Sequence, residues 1–260
     1  MTQGAAVSEW QPRWRELVQG VVRVHTERGE QQLLESLAQP KEPTVLAFVN
    51  AHAMNSAATS RKFYESLMSA DIVLRDGIGM AILLRMLNQA PGLNLNGTDL
   101  IPKILKLYSG RSIALFGTQD PYLRKARDKV TEKLAPGSRC VTTHGFLETT
   151  DYIKLATLHR PELIVLGMGM PKQEEVACTL RAAVGYPCLI VCGGAILDFM
   201  GGKTSRAPQW IRSSHMEWAY RLALEPKRLF QRYVVGNPVF LARAFSLARA
   251  TMRQGQSAPT

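Results

Sequence analysis

From Thr44 onward, short apolar runs alternate with stretches of helical period. The runs fall at 44–50, 71–76, 112–117, 140–144, 163–169 and 188–194. Most are continuously apolar rather than alternating, as strands covered on both faces should be. Between them the pattern predicts helices at 57–69, 78–88, 99–108, 122–134, 152–159 and 172–184. This alternation predicts an α/β fold: a Rossmann-like open parallel sheet with helices on both faces. Ligands of such sheets bind at the carboxyl ends of the strands.

The flanks read differently. Residues 1–43 form a poorly anchored helical lead-in, with Trp10, Trp14, Leu17, Val21 and Val22 on one face. Past Gly201 the strand pattern stops. Residues 210–233 read as helical with a break near Pro226, and a last helix follows Asn237-Pro238. Leu241, Phe245, Ala248 and Met252 make its apolar face, opposite Arg243, Ser246, Arg249 and Arg253. Such a helix either lies in a membrane interface or packs on its own domain, and periodicity leaves both open. The expected division is a lead-in (1–43), an α/β core (44–202) and a basic helical appendage (203–260). Because the sheet is complete by Gly194, the core is expected to stay folded and bind its nucleotide without the appendage.

Composition narrows the class. The chain has 260 residues, 46% hydrophobic and 20% charged, which describes a globular protein. No run of 18 apolar residues occurs, so no spanning helix is expected, and the first thirty residues show no secretory signal. Cys140, Cys178, Cys188 and Cys192 form no CxxC pair and read as buried free thiols rather than a zinc site. The net charge is +11. Residues 201–260 hold ten basic against two acidic residues, +8 of that total. A basic segment of this kind suits a phosphate-rich partner: a nucleic acid, an anionic membrane or a pyrophosphate.

The strand ends carry the candidate chemistry. Asp76, in Arg75-Asp76-Gly77-Ile78-Gly79, stands where a strand turns into a helix. It suits a general base, and equally an N-cap. Gly167-Met168-Gly169-Met170-Pro171-Lys172-Gln173-Glu174 places glycines before a helix start, an arrangement that favours phosphate. Gly193-Gly194 lets a ligand approach the backbone, and Asp198 is placed to accept from a base or ribose. His52 and His144 lie near strand ends, but no cluster has metal spacing and no Ser or Cys has a nucleophile context.

Taken in order, these segments resemble the WecG/TagA/CpsF glycosyltransferases, family 26. The matching pieces are Asn50-Ala51-His52, Ala70 through Gly79, Gly97-Thr98-Asp99-Leu100, Gly145-Phe146, Gly167-Met168-Gly169 with Pro171-Lys172-Gln173-Glu174, and Gly193-Gly194 with Asp198-Phe199. Arg206-Ala207-Pro208, Glu217-Trp218, Tyr220-Arg221-Leu222, Glu225-Pro226, Arg228 and Arg232-Tyr233 complete them. The resemblance implies an inverting transfer from a UDP-sugar to a polyprenyl-pyrophosphate-linked saccharide, by a cytoplasmic protein peripheral on the inner face of the plasma membrane. It implies Asp76 as the base. It implies a substrate-binding set of Asn50, Gly77, Thr98, Asp99, Gly169, Lys172, Gln173, Gly194 and Asp198. It also implies Arg206, Arg221, Arg228 and Arg232 for the lipid pyrophosphate and the anionic membrane. No cofactor or metal is expected, and the oligomeric state stays open, a homo-oligomer included.

Two positions depart from the family pattern. Phe48 stands where many members have Thr, and Asn94 where many have Arg. Both fall where donor or acceptor recognition is expected. The segment around Phe48 resembles exopolysaccharide members of the xanthan glucosyltransferase type, so the resemblance implies glucose as donor sugar, with N-acetylmannosamine as the alternative. Two readings from other classes compete. A nucleotide-dependent oxidoreductase would suit the sheet but lacks GxGxxG. A nucleic-acid-binding module would suit the charge but lacks aromatics interleaved with basic residues.

Overall fold

The computed structural model describes residues 9–213 and 216–256. α1 (Trp10–Gly20) leads into β1 (Val21–Val22), and α2 (Glu27–Ala38) into β2 (Pro43–Val49). α3 (Ala51–Thr59) and α4 (Arg61–Met68) precede β3 (Ile72–Arg75); α5 (Gly77–Met86) and α6 (Gly97–Leu107) precede β4 (Ser112–Gly117). α7 (Tyr122–Lys129), extended by a π turn, leads to β5 (Arg139–Thr143). α8 (Thr149–His159), β6 (Leu163–Gly167), α9 (Lys172–Ala183) and β7 (Cys188–Cys192) complete the sheet. α10 (Ile196–Met200), α11 (Gln209–Ser213), α12 (Glu217–Leu224), α13 (Pro226–Phe230), a second π turn (Gln231–Val235) and α14 (Gly236–Gln256) follow.

The described strands form one parallel sheet in the order β1-β3-β2-β7-β6-β4-β5. The expected fold class is therefore the observed one. Alternate residues of one strand feed two cores, which is why these strands read as unbroken apolar runs. In β2, Val45, Ala47 and Val49 belong to the layer of α1, α3, α9 and α14; Leu46 and Phe48 belong to that of α2 and α6. The edge strand β5 is the exception, with no fully buried residue.

Local chemistry moved one boundary. The helix expected from residue 57 starts at Ala51, because Asn50 Oδ1 caps it by accepting from Ala53 N–H at 3.1 Å. It breaks at Ser60, which caps α4 through Phe63 N–H at 3.2 Å.

The N-terminal segment is anchored, contrary to expectation. Trp14 and Leu17 are buried, and Trp14 Nε1 donates to Met54 O at 2.7 Å. Val21 and Val22 pair with Val73 and Leu74 as the edge strand β1. Two residues are too short a run for any periodicity to reveal.

The appendage shares this core. Phe240, Ala244, Leu247 and Ala248 of α14 are buried, and the Phe240 ring lies 5.4 Å from that of Trp14. Asn55 pins the start of the helix, donating to Gly236 O at 2.7 Å and accepting from Arg243 at 3.0 Å. The residues expected as the apolar face split: Ala248 is inside, while Leu241, Phe245 and Met252 are exposed.

The two faces of α14 should respond differently to truncation. Phe240→Ala removes a fully buried ring and should cost about 3–5 kcal/mol. Leu241→Ala, one residue on but exposed, should stay within about 0.5 kcal/mol of wild type. Urea unfolding midpoints of the two variants read the difference.

Candidate active site

The carboxyl ends of the strands open into two adjoining cavities, of about 240 Å³ and 800 Å³. Five residues line both: Asn50, Asp76, Thr98, Arg221 and Arg232. The smaller cavity is formed by the turns after β4, β6 and β7, with Phe48 and Phe146 on its wall. The larger runs between α5 and the appendage and is mostly apolar, lined by Ile78, Ile82, Trp218, Leu222, Tyr233 and Leu241 among others.

Asp76 sits where the cavities meet. The hydrogen bond from its N–H to Val49 O, 2.8 Å, sets it beside the end of β2. It occupies the N-cap position of α5, yet its side chain makes no capping bond. Asn94 does part of that work, its Oδ1 accepting from Gly77 N–H at 3.1 Å and from Arg75 at 3.2 Å. The Asp76 carboxylate instead accepts from Asn50 Nδ2 at 3.3 Å. Because Asn50 Oδ1 is already committed to its helix cap, the amide presents its donor to Asp76.

In the smaller cavity, Gly169 and Gly194 have positive φ (78° and 60°), and a Cβ on either would meet nothing within 4 Å. Backbone is thus bare to a ligand at both turns. Gln173 is buried behind them, its Oε1 accepting from Gly194 N–H at 2.8 Å. Asp198 accepts from Thr118 Oγ1 at 2.6 Å and has Lys203 at 3.4 Å. Thr118 itself holds a left-handed backbone (φ 45°), the kind of strain that collects at ligand sites.

The appendage supplies the cations. Arg221, Arg228 and Arg232 line the smaller cavity, and Arg212, Arg221 and Arg232 the larger. The Nε–H groups of Arg212, Arg221 and Arg232, and that of Arg206, are buried without a hydrogen-bond partner among the described residues. Burial pushes Arg232 below the usual arginine range; repulsion from Arg221 and Arg228 adds to this, and Tyr233 and Asp76 oppose it. Unpaired buried N–H donors in a field of like charge suit an anion. Glu217 also faces the larger cavity, with its acidity weakened by burial and by Asp76 against the pull of Arg206, Arg221 and Arg212.

A family model, the glycosyl transferase WecG/TagA/CpsF family, matches residues 19–254. The chain belongs to this glycosyltransferase family. It is 26% identical over 205 residues to the N-acetylglucosaminyldiphosphoundecaprenol N-acetyl-beta-D-mannosaminyltransferase of Staphylococcus aureus strain NCTC 8325 / PS 47, covering 77% of this chain and 78% of that protein. The protein of the same name from strain MRSA252 is equally similar, at 26% identity and the same coverage. WecG/TagA/CpsF membership removes the oxidoreductase and nucleic-acid readings. The glucose reading gains no support, since both relatives bear the N-acetylmannosaminyltransferase name.

The structure brings together at the two cavities most of the residues singled out from sequence: Asp76, Asn50, Gly77, Thr98, Gly169, Gln173, Gly194, Asp198, Arg221, Arg228 and Arg232. Three stand apart. Lys172 spends its ammonium on the carbonyls of Gly145 and Leu147, at 3.1 and 2.8 Å. Asp99 is tied by Asn96, Arg206 and Arg212, the Arg206 contact being 2.6 Å. Burial alone would push the Asp99 carboxyl up, but those bonds and the two guanidinium charges outweigh it and hold it low. Arg206 is therefore a clamp between appendage and α6. Both departures from the family pattern do reach the site: Phe48 in the smaller cavity, Asn94 in the larger. Lys203, Arg221, Arg228 and Arg232 of the appendage line the smaller cavity beside the residues expected for the nucleotide, all of which precede the appendage. Phe146, 70% exposed in the smaller cavity, enters the sequence reading only as part of the Gly145-Phe146 piece and is given no role there; Thr118 was missed, and nothing local in the sequence marks it.

His52 gives this WecG/TagA/CpsF site a pH signature. Burial, then Arg232, lowers its pKa to about 4 from 6.5. The unfolded chain binds that proton more tightly, so the stability His52 contributes is present above about pH 6.5 and is lost as pH falls towards 4. His52→Gln should flatten the dependence of Tm on pH within that window, measured by differential scanning calorimetry.

Proposed function

We propose that this glycosyltransferase moves an N-acetylmannosaminyl group from a UDP-linked donor to an N-acetylglucosaminyl-diphospho-polyprenol, in cell-surface polysaccharide assembly. The observation that carries this reading is that the Asp76 carboxylate, free of a helix-capping bond and held by the neutral Asn50 amide, lines both cavities. The smaller cavity, with its bare glycine turns, takes the nucleotide sugar. The larger, apolar with arginines at one end, takes the lipid-linked acceptor. The names of the similar Staphylococcus aureus proteins supply the sugar identities.

Asp76 then accepts the proton of the acceptor hydroxyl as its oxygen attacks the anomeric carbon. A C–O bond to the acceptor forms while the bond to the UDP oxygen breaks on the opposite face, inverting the centre. Asn50 holds the carboxylate in line. Arg221, Arg228 and Arg232 take up the charge on the departing diphosphate, a role for which preorganised donors suffice. We infer that no metal is needed. Arg212 and Arg232 meet the acceptor pyrophosphate in the larger cavity.

The membrane side follows from the same surface. Among the described residues no helix is long and apolar enough to cross a membrane. Val234, Val235, Leu241, Phe245 and Met252 are exposed, and Val234 and Leu241 also line the larger cavity. In this reading the appendage lies on the bilayer, so that a polyprenyl chain passes from lipid into the cavity. Basic residues nearby add about 1 kcal/mol each on an anionic surface.

Asp76→Asn should lower turnover on the order of 10²–10⁴-fold while calorimetric UDP affinity stays near wild type; unchanged turnover would remove the base from the scheme. Wild-type turnover should survive EDTA. Phe146→Ala should weaken UDP binding by roughly 5- to 100-fold if the ring stacks on the base. Mass spectrometry of products from a UDP-sugar panel should show N-acetylhexosamine transfer rather than hexose transfer.

A further inference from the structure

Glu174 is a buried carboxyl for which the scheme above has no use. It is 1% exposed, beside the equally buried Gln173 in the first turn of α9. One carboxyl oxygen accepts from Gln173 Nε2 at 2.8 Å; the other, Oε2, has no hydrogen-bond partner among the described residues. The far end of Gln173 accepts from Gly194 N–H at 2.8 Å. Gly194 lines the smaller cavity at the turn after β7.

We propose that Glu174 is a positioning residue for the donor cavity: by accepting from Gln173 it fixes which way that amide faces, so that the amide oxygen anchors the Gly194 N–H and holds the Gly193-Gly194 turn in shape for the nucleotide. The role rests on reading that cavity as the nucleotide site. The logic is one of donor and acceptor parity. Gly194 N–H can only donate, so it demands the oxygen of Gln173. The amide nitrogen must then face Glu174, which must supply an acceptor. An apolar residue at 174 would leave the Gln173 amide nitrogen buried and unpaired. That stranded donor would pull the amide out of its present plane towards any acceptor it can reach, weakening the bond its oxygen accepts from Gly194 N–H.

The protonation state fits a structural duty. Burial pushes the Glu174 carboxyl up to about 7, with Glu175 adding to the rise and the Gln173 amide opposing it. Cys192 of β7, across from it, is itself pushed well up by burial. A neutral acid still offers a carbonyl oxygen to Gln173. Since the folded pKa exceeds the unfolded one, the stability from this group is present below about pH 4.5 and lost as pH rises through about 7.

The test compares Glu174→Leu, which removes the acceptor, with Glu174→Gln, which keeps an acceptor oxygen. Hydrogen exchange of the Gly194 amide, with no ligand present, reads the relay. UDP titration calorimetry reads its consequence. The expected result is exchange at Gly194 faster by about tenfold and UDP affinity lower by about tenfold in Glu174→Leu, with both largely restored in Glu174→Gln. Glu174→Asp, which withdraws the oxygen by one methylene, should shift both in the same direction and serves where the leucine variant does not fold. Glu174→Gln should also remove the loss of stability between pH 4.5 and 7. Unchanged Gly194 exchange in Glu174→Leu and Glu174→Asp, or equal loss in Glu174→Gln, overturns the proposal. Faster exchange with unchanged UDP affinity overturns the positioning role. A wild type that binds no UDP overturns the nucleotide reading instead, and the exchange experiment still decides the relay.

Discussion

The stack of Phe240 on Trp14, 5.4 Å between centroids, joins the two ends of the chain over the sheet. Trp14 is itself held by a hydrogen bond to Met54 O, one turn beyond Asn50. Asn55, the next residue, pins Gly236 and Arg243. The segment that carries Asn50 to Asp76 is therefore the same segment that seats the appendage. This geometry sets where Arg221 and Arg232 can stand. Were α14 to leave, the larger cavity would lose Phe240 and Leu241 from its wall, and Trp14 and Met54 would face water. Burial of that magnitude, several fully enclosed side chains at roughly 1.5–3 kcal/mol each, makes the appendage part of the fold as well as part of the site.

The central sheet was legible because each strand is buried on both faces and writes that fact as a continuous apolar run. Six of seven strands appear where the runs predict them, within two residues. The rest was hidden for physical reasons. The strand at Val21–Val22 exists only by pairing with β3. The inner face of α14 could not be told from its outer face, because Phe240, Leu241, Phe245 and Leu247 are all apolar and the partner, Trp14, lies more than two hundred residues away. Leu241, Phe245 and Met252 were read as the helix's apolar face; they are apolar but exposed, the arrangement of a helix with a second surface to meet. The site residues divide similarly. Asp76, Gln173 and Asp198 stand at strand ends and could be found there. Lys172 looked like a phosphate ligand by position, yet its ammonium is spent on two backbone carbonyls. Only the fold of the 145–147 turn reveals that.

Charge explains why the proposed scheme gives the anion to the arginines and not to Lys172. A lysine with two carbonyl partners is satisfied; a guanidinium with a buried, unpartnered Nε–H is not. Arg221 helps to lower the pKa of Arg232, and among the described residues neither has a carboxylate at salt-bridge distance, whereas Arg206 has Asp99 at 2.6 Å. A diphosphate brought among them gains the attraction and removes the repulsion together, inside a cavity where screening by solvent is weaker than on an open surface.

Because the same two arginines line both cavities, the proposed scheme does not let donor and acceptor bind as independent events. The leaving diphosphate and the acceptor pyrophosphate draw on one set of cations, so occupancy of one cavity changes the field felt in the other. Asp76 lies in that same field, beside Glu217, whose own acidity is weakened by burial. A carboxylate that must stay ionised to take a proton benefits from nearby cations, but each cation it neutralises is one less for phosphate. The arrangement resolves this by distance along the chain. Asp76 takes its hydrogen bond from the neutral amide of Asn50 and leaves the guanidinium groups for the substrates. Those groups are carried by the appendage, whose exposed apolar face in our scheme meets the bilayer. On that reading, the cations needed for transfer are best placed only when the lipid that bears the acceptor is at hand.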